Sequence, residues 1–169
     1  LTERGIFPPR RAETMRYTAA LISVADVHVS RRFYEELFGL ELGHDYGINV
    51  SFTCGLALQQ NFAWLAGVPE DSVARRSHNM ELCFETEDFD GFLKQLDRRP
   101  DIRRLGDVVE HGWGQRTVRL YDPDGHLIEV GEDMGMVVRR FLASGMSMEA
   151  VSERMDVSIA DLEKLLTAE

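Results

Sequence analysis

The run Gly114-Gln115-Arg116-Thr117-Val118-Arg119-Leu120-Tyr121-Asp122-Pro123-Asp124-Gly125-His126-Leu127-Ile128-Glu129 decides the fold. Gln115 to Tyr121 and His126 to Glu132 read as two strands. Asp122-Pro123-Asp124-Gly125 between them has the Pro and Gly that suit a tight turn joining antiparallel neighbours. Working upstream, Ile102 to Glu110 reads as a third strand and Asn79 to Thr86 as a fourth. Between those two, Asp88 caps a helix whose Phe89, Phe92, Leu93 and Leu96 recur at i, i+3, i+4 and i+7. The order is strand, helix, three strands.

The same order occurs once before. Tyr17 to Val24 is a short apolar strand, and Asp26 caps a helix with Val29, Phe33, Tyr34, Leu37 and Phe38 along one face. Arg31, Arg32, Glu35 and Glu36 take the other face, and Gly39 supplies the stop. Strands follow at Leu40 to Tyr46, Ile48 to Thr53 and Leu56 to Gln60, with Gly47 and Gly55 as turn residues. A shift of 62 positions lays Asp26 on Asp88, Val24 on Thr86 and Ala19 on Glu81. The chain is therefore expected to be α+β, a duplicated βαβββ unit with modules at 17–60 and 79–133. The linker Asn61 to His78, which contains Pro69, is predicted to hold a short helix.

From residue 134 onward the pattern is helical only. Met136 to Ala143, Met148 to Met155 and Ser158 to Leu166 are the predicted helices, with Ser147 and Ser158 as N-caps. Met148 to Leu166 has the spacing of a helix-turn-helix. Its charge opposes a role on DNA: the tail from Met136 carries four basic and six acidic side chains, and the presumed recognition helix has Asp161 and Glu163 against Lys164 alone. Packing or dimerisation is the expected role of the tail, with transcriptional regulation as the weaker alternative.

Composition narrows the function classes. A chain of 169 residues fits one domain with an appendage. Its 19 Lys+Arg against 29 Asp+Glu leave a net charge of −10, which repels phosphate backbones, so no nucleic-acid partner is expected. At 44% hydrophobic and 28% charged it has the material for a sizeable core. Cys54 and Cys83 lack the spacing of a disulfide framework or a zinc site, which fits a cytoplasmic protein. No run approaches a membrane span, and Leu1 to Arg16, with Pro8-Pro9 and four arginines, reads as a polar arm.

The segments Ala19 to Tyr34 and Glu81 to Leu96, together with Gly114-Gln115-Arg116 and the run from Tyr121 to Glu129, resemble the vicinal-oxygen-chelate superfamily. This is the glyoxalase, bleomycin-resistance and extradiol-dioxygenase group, and the likeness covers Tyr17 to Asp133. It implies a cup-shaped mixed sheet built by the two modules, with a divalent metal or small ligand inside, and a homodimer. Alternation along the strands then selects the cup residues. They are Ala19, Leu21 and Ser23; Ala57 and Gln59; Glu81, Cys83 and Glu85; Thr117, Arg119 and Tyr121; and Leu127 and Glu129.

Metal-dependent members hold the ion with one side chain from each of four strands, typically His, Glu, His and Glu, with Gln replacing a His in some. Carried over by position, the set here is Ala19, Gln59, Glu81 and Glu129. Ala19 cannot ligate, so the implied metal site, Gln59, Glu81 and Glu129, is incomplete. The resemblance implies one divalent metal at most, Mg²⁺, Mn²⁺, Zn²⁺ or Ni²⁺, and the oxygen donors favour Mg²⁺ or Mn²⁺ over a high-affinity Zn²⁺ or Fe²⁺ site. If a metal is bound, the resemblance implies a lyase or isomerase of the lactoylglutathione-lyase type, with Glu129 as the base moving a proton beside a polarised substrate oxygen.

Two other readings of the inward glutamates stand beside it. They pair with Arg119 or bond to Tyr121, or they bind a cationic or hydroxylated small molecule directly, as in metal-free binding members of the bleomycin-resistance type. Ser23, Cys83, Trp113, Arg119 and Tyr121 are the candidate substrate-binding residues. Trp113, in the loop with His111, reads either as an aromatic lid or as a turn anchor. Arg119 reads as an anion grip or as a partner of Glu81 or Glu129. Cys83 is expected to be inert beside the glutamates. His126 is expected to be exposed in its turn, and His28, His44 and His78 are expected at the surface.

Overall fold

The computed structural model describes residues 15–167. The polar arm expected at 1–16 lies almost wholly outside them; Met15 and Arg16 are exposed. The first module comprises β1 (Ala20–Val24), α1 (Val27–Phe38), β2 (Leu42–Asp45), β3 (Asn49–Phe52) and β4 (Leu56–Gln60). In the second are β5 (Leu82–Thr86), α3 (Phe89–Asp97), β6 (Val109–Glu110), β7 (Arg116–Tyr121) and β8 (Leu127–Glu132). Each forms its own four-stranded sheet, in the orders β1-β4-β3-β2 and β5-β8-β7-β6. The first and last strands of each module run parallel, which the crossover helix permits, and the remaining pairs are antiparallel. The two modules thus each supply a four-stranded mixed sheet, as the duplicated α+β reading expects.

The sheets share one core. Ile22, Val24, Val50 and Leu58 from the first and Val118, Leu120, Ile128 and Val130 from the second surround the apolar faces of α1 and α3. Phe38 stacks on Phe84 at 4.3 Å between ring centroids. Asp26 caps α1 by accepting from the amides of His28 (2.8 Å) and Val29 (3.2 Å). Gly39 ends the helix at φ 63°, a left-handed conformation open to glycine. Two details depart from the helical reading: Val29 is half exposed, and Ser30 is buried instead, with its Oγ donating to Asp124 Oδ2 at 3.1 Å.

The turn at 122–125 does more than reverse the chain. The Asp122 side chain accepts from the amides of Asp124 (3.0 Å) and His126 (2.8 Å). Its Oδ2 accepts from the buried Tyr34 hydroxyl of the first module at 2.9 Å. Asp124 accepts from the Ala25 amide at 2.9 Å. The turn thus fastens the second module to the first. His126 is not exposed as expected: its Nδ1 lies 2.8 Å from Asp122 Oδ2 and its ring is mostly covered.

The linker holds α2 (Phe62–Ala66) and a 3₁₀ turn at Glu70–Ser72. Further on, Arg76 and His78 take left-handed backbones, φ 58° and 51°, which cost non-glycine residues roughly 1 kcal/mol each. His78 lies at the surface, as expected, and its Nε2 meets Tyr121 Oη at 2.8 Å. The long strand expected over 102–110 is reduced to β6 and an isolated bridge between Arg104 and Leu120. Ile102 instead turns into the shared core.

The tail forms α4 (Met134–Ala143), α5 (Met148–Met155) and α6 (Ile159–Thr167) around a second core of Val137, Val138, Phe141, Val151, Met155 and Leu162. Ser147 and Ser158 accept from the amides of Ala150 and Asp161, both at 3.2 Å, as N-caps do. Glu132, at the end of β8, anchors this unit: Arg116 reaches it at 2.8 Å and Arg140 at 3.1 Å. Gly114, at φ 91°, lies so close to Phe141 that a side chain there would overlap the ring. Among the described residues no helix is long and apolar enough to cross a membrane.

Candidate functional site

The register of the second sheet gathers the candidate site. Cys83 lies beside Glu129 across the β5–β8 pairing, and Arg119 lies beside Glu129 across the β7–β8 pairing. Directly opposed residues share a face, so the thiol, the guanidinium and the carboxylate project together, with Glu81 joining them from just before β5. One ligand atom each from Glu81, Cys83 and Glu129 falls within 4.8 Å of the others. Cys83 is exposed, Glu81 and Glu129 are half-buried, and the face is open.

Arg119 bridges the two glutamates. Its Nε donates to Glu81 Oε2 at 2.9 Å and its Nη2 to Glu129 Oε2. The hydrogen bond to Glu81, followed by the charges of Glu129 and Glu81, raises the guanidinium above its ordinary value. Burial pushes the Cys83 thiol up, and Glu81 and Glu129 push it further, so it is held as the weakly nucleophilic neutral form. Glu85, farther along β5, is raised by burial and then by the charge of Asp133.

Gln59 does not join this group through its hydrogen bonds. It is 2% exposed; its Oε1 accepts from Asn49 Nδ2 at 2.8 Å and its Nε2 donates to the Gln60 carbonyl at 2.6 Å. Both polar atoms are thus committed to the first sheet. Ala19 precedes β1 and is exposed, and Ser23 is half-buried on β1. Trp113 is exposed, with its Nε1 donating to Gln115 Oε1 at 3.2 Å and its ring stacked on His111 at 4.4 Å. His111 in turn meets Thr117 Oγ1 at 3.2 Å, so the stacked pair flanks the Thr117 end of the sheet. Tyr121 is buried at the opposite end of β7, bonded to His78. The second sheet thus supplies a row from Glu81 through Arg119 and Glu129 toward His111 and Trp113.

Two carboxylates and a neutral thiol are a thin donor set for an ion. The position between the carboxylates is already taken by a permanently charged guanidinium, which repels a dication and engages one oxygen of each carboxylate. In this arrangement the residues do not fit a resident divalent metal, and no chemical step is derived through one. Arg119 was legible as a partner of one glutamate; that it holds both follows from the strand order β5-β8-β7, which puts Glu129 on the adjacent strand and Glu81 just before the strand beyond it.

Residues 17–135 match the family model described as Glyoxalase-like domain. Among solved structures, a protein of unknown function from Agrobacterium tumefaciens str. C58 is 32% identical over 72% of this chain and 97% of its own, with a TM-score of 0.62. A lactoylglutathione lyase from Agrobacterium tumefaciens is 23% identical over 70% of this chain and 94% of its own, with a TM-score of 0.53. A glyoxalase/bleomycin resistance protein/dioxygenase family enzyme from Burkholderia phytofirmans PsJN is 15% identical over 70% and 98%, with a TM-score of 0.61. These last two likenesses concern the fold alone. No curated protein matches the chain. The family match ends at residue 135, where the helical tail begins.

Proposed function

Because the chain belongs to the glyoxalase-like domain family, whose model spans residues 17–135, we propose that it uses the vicinal-oxygen-chelate fold as a metal-free small-molecule binding protein. The observation that carries this reading is Arg119 bridging Glu81 and Glu129. A guanidinium there does the electrostatic work of an ion, compensating the two carboxylates and fixing their orientation. One negative charge is left over, and Glu85 lies on the same face of β5. The ligand favoured by such a surface is a small amine or other cation, with hydroxyls to bond the carboxylate oxygens and a flat group to stack on the His111–Trp113 end.

Titration of the metal-stripped protein with Mn²⁺, Ni²⁺ and Zn²⁺ tests the reading against the metal-dependent one. The expected result is no stoichiometric uptake by the unaltered chain and a gain of uptake in Arg119→Ala, which frees both carboxylates. Tight one-to-one binding by the unaltered chain, lost in Glu129→Gln, would establish a resident metal and overturn the proposal. A thermal-shift series with aromatic amines supplies the positive arm, since a ligand bound only by the folded state raises the melting temperature. Glu129→Gln should abolish that rise.

A further inference from the structure

A second cleft, of about 420 Å³, lies away from the Glu81–Arg119–Glu129 row, between the exposed flank of α1 and the chain at 101–103 and 121–125. On a chain of net charge −10 its lining is unexpectedly basic: Arg32, Arg76, Arg99 and Arg103 all border it. Arg99 is engaged by Asp101 at 2.8 Å and lies 3.6 Å from Glu36, which accounts for the two carboxylates nearest to it. The third carboxylate, Asp122, is buried and bonded to Tyr34 and His126. Among the described residues the guanidinium groups of Arg32, Arg76 and Arg103 have no carboxylate within ion-pair distance. All three are exposed, and together they give this concavity a local excess of positive charge that favours an anion.

Two of the three are held in position. Arg103 lies over the Tyr121 ring, 4.0 Å from its centroid. Arg76 has a left-handed backbone and packs so tightly on Gly125 that a side chain there would collide with it. A strained backbone retained by packing is characteristic of a site. Half-exposed Val29, with Phe33 and Ile102, adds an apolar wall. We propose that this cleft binds a small organic oxyanion, a phosphate monoester or carboxylate on a ring-sized apolar body. The guanidinium groups would take the oxygens and the wall the ring.

Calorimetric titration of the full chain at low ionic strength with phenyl phosphate, benzoate and inorganic phosphate tests it. An aromatic anion should bind one-to-one with a Kd below about 1 mM, and the preference between phenyl phosphate and benzoate assigns the oxyanion. Inorganic phosphate should bind at least about ten-fold more weakly, for want of the apolar wall. Arg103→Gln and Arg76→Gln should each weaken the aromatic anion by about ten-fold or more. Arg104→Gln removes the same charge from a residue paired with Asp97 at 2.7 Å and should leave affinity unchanged. Arg76 lies in the linker, so its variant carries the test should Arg103→Gln fail to fold. Absence of saturable binding, equal affinity for inorganic phosphate, or equal weakening by Arg104→Gln would overturn the proposal.

Discussion

Asp122 concentrates more of the structure than any neighbouring residue, since two amides of its own turn, the Tyr34 hydroxyl and the His126 ring all bond to it. Asp122→Ala leaves the Tyr34 hydroxyl buried without an acceptor, at a cost of about 3 kcal/mol, measurable by urea denaturation. The same site dictates a pH dependence. Burial opposes the charged imidazole of His126, but the hydrogen bond and charge of Asp122 outweigh it and raise the group above 6.5. The stabilisation is therefore full below about pH 6.5 and is lost as pH rises through the higher folded value. The melting temperature should fall across that window, and His126→Asn should flatten the fall. The Pro and Gly of 122–125 made the turn legible in the sequence. Its partner was not, because Tyr34 lies 88 residues away and no local pattern carries that pairing. The exposure expected of His126 failed for the same reason, its burial being set by the first module.

At the scale of elements, both crossover helices and seven of the eight strands could be read from alternation and caps, because each rests on local periodicity. The strand expected over 102–110 could not. An apolar residue such as Ile102 counts toward a strand in the sequence, yet here it leaves the sheet edge for the core between the helices. The site divides along the same line. Glu81, Cys83, Arg119 and Glu129 share a face by alternation within one sheet, whereas including Gln59 required the relation between two sheets, which alternation does not contain. The tail is joined to the second sheet chiefly through Glu132. Burial would push this carboxyl up, but Arg116 and Arg140 hold it below its ordinary range. Its contribution is present above about pH 4.5 and is lost as pH falls through the lower folded value. Glu132→Gln should cost about 3 kcal/mol and speed amide exchange in α4 to α6 before it does so in β7 and β8.

For the whole molecule, the two apolar clusters are distinct sets of residues. One is enclosed by the duplicated modules and the other by three helices with their own caps. Contacts that join them include the Glu132 cluster, Phe141 on Gly114, Arg140 Nη2 donating to the Gly114 carbonyl at 2.5 Å, and Arg154 with Glu110 at 2.9 Å. Cooperativity is expected to follow this division, each core melting as its own unit. Scanning calorimetry should resolve two overlapping transitions, with the lower one missing when residues 134–169 are deleted and displaced downward by Glu132→Gln. A single transition whose calorimetric and van't Hoff enthalpies agree would show that the junction transmits unfolding after all. A variant's melting temperature in this chain therefore has meaning only once its transition is identified. Substitutions in the tail are expected to change the heat absorbed in one step while leaving the duplicated modules thermally unaltered.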